Sequence, residues 1–284
     1  MSTDSEPMTD HSMRRDQSAA RADDEALLPA VVAALSAAGE RLVARFSTAP
    51  RLGSREEIFA ALGDNDAVSL DAIREPLARA RPGAGWVEDE LERGPLPPGE
   101  WWITDAVEGN INHVHGMTDW CVTATLVRDN EPVLTAVHLP LRGETYTARK
   151  GAGATVGARR LRASAKTALD AAFVGTGQAM PGEDQETHRR IGQSVAAMLG
   201  SALVLRVSVP ATLQLVEVAA GRMDVFWQYS QVLSGLVAGA LLVAEAGGAV
   251  TDTRGDRWSL TSEDFLAAAP GLHAGAVAVL STVR

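Results

Sequence analysis

Trp102-Ile103-Thr104-Asp105-Ala106-Val107-Glu108-Gly109-Asn110 is the stretch on which the reading of this chain turns. A short apolar run ends at Thr104-Asp105, a second carboxylate follows three residues on, and Gly109 lets backbone approach a ligand closely. Carboxylates at a strand end, beside free backbone amides, are a workable site for Mg²⁺ and phosphate together. The same spacing also suits turn and cap residues that close only local hydrogen bonds.

Upstream, residues 1–24 are polar with mixed charge, and the composition predicts a disordered tail. From Glu25, Leu27, Leu28, Val31, Val32, Leu35, Leu42, Val43 and Phe46 recur at helical spacing. A break at Pro50–Ser54 precedes a second helix expected over Val68–Ala80, weakened by Pro76 and ended by Pro82, Gly83 and Gly85. Downstream, the β-branched runs Val122–Val127 and Val133–Leu139 flank Arg128-Asp129-Asn130-Glu131 and read as a hairpin. Strands are then expected at Glu144–Ala148, Ala171–Thr176, Leu203–Val207, Asp224–Trp227, Val250-Thr251 and Phe265–Ala267. Helices are expected at Thr187–Leu199, Thr212–Ala220, Ser234–Ala246 and from His273. Helices, then an antiparallel block, then alternating strands and helices fit a layered α/β or α+β sandwich.

The chain has 284 residues, with 26 Lys and Arg against 36 Asp and Glu, for a net charge of −10. That length can bury a sizeable core, and the acidic balance argues against a nucleic-acid partner. One cysteine excludes an internal disulfide framework and a Cys-rich zinc module. With neither a signal peptide nor an uninterrupted spanning run read from the sequence, the expectation is a cytoplasmic protein with no membrane partner.

Several motifs in the same order make the chain resemble the inositol monophosphatase family. The family's Asp-Pro-Ile-Asp-Gly-Thr followed by Thr-Asn-Phe-Val-His-Gly is met by Asp105-Ala-Val-Glu108-Gly109-Asn110, then Ile111-Asn112-His113-Val114-His115-Gly116. Tyr146 to Ala154 looks like its Tyr-x-Ala-x-x-Gly-x-Gly-Ala segment. Ser234 to Gly239 through Glu245-Ala246-Gly247-Gly248 is similar to its second signature, and Ala269-Pro270-Gly271-Leu272-His273 to its C-terminal motif. The resemblance implies a layered αβαβα sandwich, with an antiparallel N-terminal half over 25–165 and an alternating C-terminal half over 166–284. It also implies a homodimer, and phosphate hydrolysis with two or three Mg²⁺ ions.

Position by position, the resemblance makes Asp105 the surviving first ligand and Glu108 a ligand one methylene longer. Asp89 becomes a ligand one methylene shorter, and Asn110 replaces a water-orienting Thr. The metal-binding Asp of the second signature has become Gly235, preceded by Ser234, and a substrate-contacting acid has become Gln228. Asp66 is the counterpart for a third ion.

Three functions follow. In the first, a repurposed member with catalytic Asp105 and Glu108 and no cofactor transforms a small organic molecule by metal-independent acid–base chemistry. Gly109, Asn110, His113, Trp227, Gln228 and Tyr229 would line its pocket. In the second, a Mg²⁺-dependent phosphomonoesterase works through a rearranged site at Asp89, Asp105 and Glu108. The third is a non-catalytic scaffold or regulator. His115 is expected to pack structurally, and Cys121 to be a buried, inert thiol. Gly151-Ala152-Gly153 lacks the Lys-Ser/Thr ending of a nucleotide loop and reads as a turn.

Overall fold

Alternating β-branched and apolar residues over 121–139 leave both faces of one hairpin buried, and the molecule is layered around it. The computed structural model describes residues 10–49, 52–88, 94–180, 182–230 and 232–283. Helices α1 (Asp10–Arg45) and α2 (Arg55–Ala80) form the first layer. The second is a seven-stranded sheet in the order β1 (Gly85–Trp86), β2 (Glu100–Glu108), β3 (Cys121–Arg128), β4 (Glu131–Leu139), β5 (Glu144–Arg149), β6 (Gly153–Val156), β7 (Arg159–Arg160). The short helix α3 (Asn110–Val114) follows β2 directly.

The C-terminal elements are β8 (Phe173–Thr176), α4 (Gln185–Leu199), β9 (Val204–Val207), α5 (Ala211–Ala219), β10 (Val225–Gln228), α6 (Leu233–Glu245), β11 (Ala249–Thr251), β12 (Phe265–Ala268) and α7 (His273–Leu280). Their strands make a five-stranded sheet ordered β11-β12-β10-β8-β9. Helices α5 and α6 lie between the two sheets, and α4 and α7 pack together on the far side of the second. The αβαβα sandwich expected from the sequence is therefore the fold. Its central core joins Val137 and Tyr146 of the first sheet to Leu215, Leu236 and Phe226.

Helix α1 buries Leu27, Val31, Ala34, Leu35, Ala38 and Leu42 against Trp102, Val122 and Leu134. Arg21–Arg45 is long and apolar enough, by length and composition, to cross a membrane, whereas the sequence predicts no spanning run. Its buried stripe already belongs to the core. The backbone of 10–24 is helical where a disordered tail is expected, and 1–9 lie outside the described residues. Ala, Arg and Gln in 10–24 are good helix formers, and the packed part of α1 supplies the nucleus. Helix α2 begins thirteen residues before the expected start. Ser54 caps it by accepting from the Glu57 N–H at 3.1 Å, and Pro76 sits inside it. Asp129 and Asn130 turn the hairpin with φ of 50° and 66°, values these two residue types tolerate.

Candidate active site

A strand places residues i and i+3 on opposite faces, so regular pairing would separate Asp105 from Glu108. Here the register between β2 and β3 shifts: Asp105 pairs with Thr123 and Glu108 with Cys121. Three steps along β2 meet two along β3, and this bulge absorbs the extra residue and brings both carboxyl groups to one side. They lie close enough for each to act on the other's protonation. The Asp105 residue keeps some surface, but its carboxyl end is enclosed. Burial first, then the Glu108 charge and hydrogen bond, hold that carboxyl well above the usual carboxylate range. Asp66 adds to the rise and the Val107 N–H opposes it. Val107 N donates to Asp105 Oδ1 at 2.9 Å, and Asp105 N to Thr123 Oγ1 at 3.2 Å.

Gly109 then takes a φ of +82° to open α3. A β-carbon here would stand 2.8 Å from the Asp119 carbonyl oxygen and 2.9 Å from Pro210 Cγ. Asn112 Nδ2 fastens the same turn to the Asp119 and Val209 carbonyls at 2.7 and 2.9 Å. Gly109→Ala combines left-handed strain with overpacking and should cost about 1–3 kcal/mol in chemical denaturation; an unchanged midpoint would show that the turn yields.

Asn110, expected to bind substrate, is held on three sides. Its Nδ2 donates to Leu62 O at 3.0 Å and Asp66 Oδ1 at 2.8 Å, and its Oδ1 accepts from Asn65 Nδ2 at 3.0 Å. Asn65 Nδ2 also meets His113 Nδ1 at 2.9 Å, and Asn65 Oδ1 accepts from Arg45 Nε. His113 Nε2 reaches Leu42 O at 3.0 Å. This pattern assigns the proton of His113 to Nε2. His113 is buried edge-on between Phe46 and Trp120, whereas His115 is exposed. The sequence predicts the packing role for His115. Helical backbone in α3, in place of an extended segment, is why the two exchange places.

Burial is the main cause depressing the His113 pKa, and the Arg45 charge adds to it. A folded value below the unfolded one means the unfolded chain binds more protons as pH falls, so stability drops from about pH 6.5 downward. His113→Phe should flatten part of that slope while lowering stability at pH 8 by about 1–3 kcal/mol through the lost Asn65 and Leu42 partners. Urea titrations at pH 8 and 5.5 measure both, and an unchanged slope would assign the acid sensitivity elsewhere.

The three residues around β10 each have a partner of their own. Trp227 is fully buried in the outer core, with Nε1 donating to Ser194 Oγ at 2.8 Å. Gln228 is buried, and its Nε2 donates to Ser230 O at 2.6 Å. Tyr229 lies beneath the Arg190 guanidinium, 4.3 Å from the ring centre, and burial pushes its hydroxyl up to about 12. Asp89 lies outside the described residues. Cys121 is buried beneath the carboxyl pair; burial and the Glu108 and Asp105 charges push its thiol well up, so it is a poor nucleophile. At Gly151–Gly153 the backbone N–H groups do hold an anion, but it is internal: the Glu245 carboxylate accepts from Gly151 N at 2.6 Å and Gly153 N at 2.7 Å.

Gly235 opens the first turn of α6 toward the pair. A β-carbon on it would lie 3.3 and 3.4 Å from the Glu108 carboxylate oxygens. The family resemblance read from the sequence implies a carboxylate at this position, but it carries no sign that Glu108 reaches into that space. Among the described residues no group of three acidic, His or Cys side chains is arranged to hold a metal ion.

The model of the inositol monophosphatase family matches residues 23–283. The inositol-1-monophosphatase of Rhizobium meliloti is 34% identical over 236 residues, which is 81% of this chain and 86% of that protein. The Nus factor SuhB of Xylella fastidiosa is 34% identical over 194 residues, 68% of this chain and 69% of that protein. Among solved structures, the extragenic suppressor protein suhB from Bartonella henselae superposes with a TM-score of 0.76 at 25% identity, covering 91% of this chain and 100% of that one.

Proposed function

The chain belongs to the inositol monophosphatase family, and from that premise we propose that it is a Mg²⁺-dependent phosphomonoesterase with a rearranged metal site, acting on an inositol or sugar phosphate. The observation that carries this reading is the Asp105–Glu108 contact, with Asp66 near enough to act on Asp105 electrostatically. Hard oxygen donors suit a hard cation, and Mg²⁺ is commonly held by one or two carboxylates completed by substrate phosphate and water. Asp105 and Glu108 meet that requirement for one ion. Family membership supports Mg²⁺ over the cofactor-free expectation.

When bound, the ion would supply Lewis-acid polarisation of the phosphoryl group and a more acidic water. The rest falls to the chain. Asp105 and Glu108 would hold the ion, and the bulge sets their relative placement. The N–H groups of Asn110 and Ile111, at the start of α3, have no intrahelical acceptor and suit a phosphate oxygen. Asp66, bound to the Asn110 amide, adds a negative charge that is felt at Asp105.

Phosphate release from inositol, sugar and nucleotide monophosphates, with Mg²⁺ and with chelator, tests the reading. Release that requires Mg²⁺ is expected; no release from any member of the panel overturns it.

A second reading rests on the two carboxyl groups that the bulge turns to one side. One shared proton would make them an acid–base pair able to act on a small organic molecule without a cation. Turnover that persists in chelator would favour it.

A further inference from the structure

Glu108 comes from the end of β2 and Gly235 from the first turn of α6, and the Glu108 carboxylate fills the space a side chain at 235 would take. Contacts of 3.3 and 3.4 Å from a bare β-carbon are already tight, and a carboxylate beyond it would bring a third negative charge against the pair.

Helix α6 cannot withdraw to make room. Thr212 Oγ1 donates to Gly235 O at 2.7 Å and fixes its first turn to α5. One turn on, Gly239 lies so close to α5 that a β-carbon there would stand 2.3 Å from Leu215 Cδ1. Any space for a side chain at 235 must therefore come from Glu108. The N-terminal end of α6 also favours an anion through its dipole, which suits a carboxylate lodged there.

We infer that Glu108 and Gly235 are a matched pair: the longer strand-end carboxylate takes the place of a helix-borne one, and the site is built for a single divalent cation. This rests on the phosphomonoesterase reading only in requiring a cation at Asp105 and Glu108. Restoring a carboxylate to α6 then works only if Glu108 is shortened at the same time.

Equilibrium dialysis with Mn²⁺ on the full chain counts ions directly. The wild type should bind one ion per chain. Gly235→Asp and Glu108→Asp should each bind it about tenfold or more weakly. The double variant should recover affinity and take up more than one ion. A metal-free measurement checks the packing independently. In chelator, Gly235→Ala should lower the melting temperature by about 2–4 °C with Glu108 present, and leave it unchanged in the Glu108→Asp background.

Gly235→Asp binding Mn²⁺ as well as the wild type, or Gly235→Ala costing the same in both backgrounds, overturns the pairing. A wild type that binds one ion but shows no such coupling overturns the pairing alone. A wild type that binds none overturns the cation reading with it.

Discussion

Asp105→Asn should lower Mg²⁺-dependent phosphate release about a thousandfold, a loss of several kcal/mol of charge stabilisation in the transition state. The same change should stabilise the metal-free protein. An amide keeps an oxygen for the Val107 N–H and offers an N–H to Glu108 in place of a second carboxyl group. It removes the like-charge contact that burial makes costly. The melting temperature in chelator should therefore rise by about 2–4 °C while activity disappears. That opposition separates a ligand from a packing residue, whose loss lowers both. Retained release would sink the assignment of Asp105, and a lowered melting temperature would show that its carboxyl contributes to the fold.

A second large effect is expected far from the carboxyl pair. Arg128, at the end of β3, donates to both carboxylate oxygens of Asp24 at 2.6 and 3.2 Å, and through Nε to Glu100 Oε1 at 2.8 Å. Arg81 holds Glu100 from the other side at 2.6 and 2.8 Å. Asp24 is only 5% exposed, so Arg128→Ala would strand a buried anion and should cost about 3–5 kcal/mol. Adding Asp24→Asn should recover part of the loss, because the uncompensated charge is gone. The Arg81 and Arg128 guanidinium groups also hold the Glu100 carboxyl below its usual value. Its share of stability is present above the unfolded pKa and is lost as acid protonates it. Urea midpoints of the two variants decide the matter; equal midpoints would mean that Arg128 acts through packing alone.

Much of this could be read along the chain. The turn chemistry of Asp129-Asn130, the apolar stripe of α1 and the Glu245-Ala-Gly-Gly end of α6 are local patterns with local causes. The pairing of Asp105 with Glu108 rests on a register shift set by β3, and residue spacing alone places them on opposite faces. Trp227 reads as a pocket aromatic because its neighbour in the fold, Ser194, is 33 residues away and binds its indole N–H. The exchange of His113 and His115 turns on five residues of helix too short for periodicity to reveal. The start of α2 was legible in principle, since Ser54 followed by Glu57 is a capping pattern. Gly235 stands out only against the family resemblance, and that the Glu108 carboxylate lies against it shows only in the fold.

One further consequence lies in Asn110. A hydroxyl can rotate and pass a proton along; an amide whose two hydrogens go to Leu62 and Asp66, and whose oxygen faces Asn65, cannot. It behaves as a strut. Proton traffic at this corner has to run through carboxylates, Asp66 of α2 among them, while Asn110 and Asn65 govern the shape of the site. Loosening the strut, by Asn65→Ala for instance, would change how well the site is aligned and leave the form of its pH profile where it was.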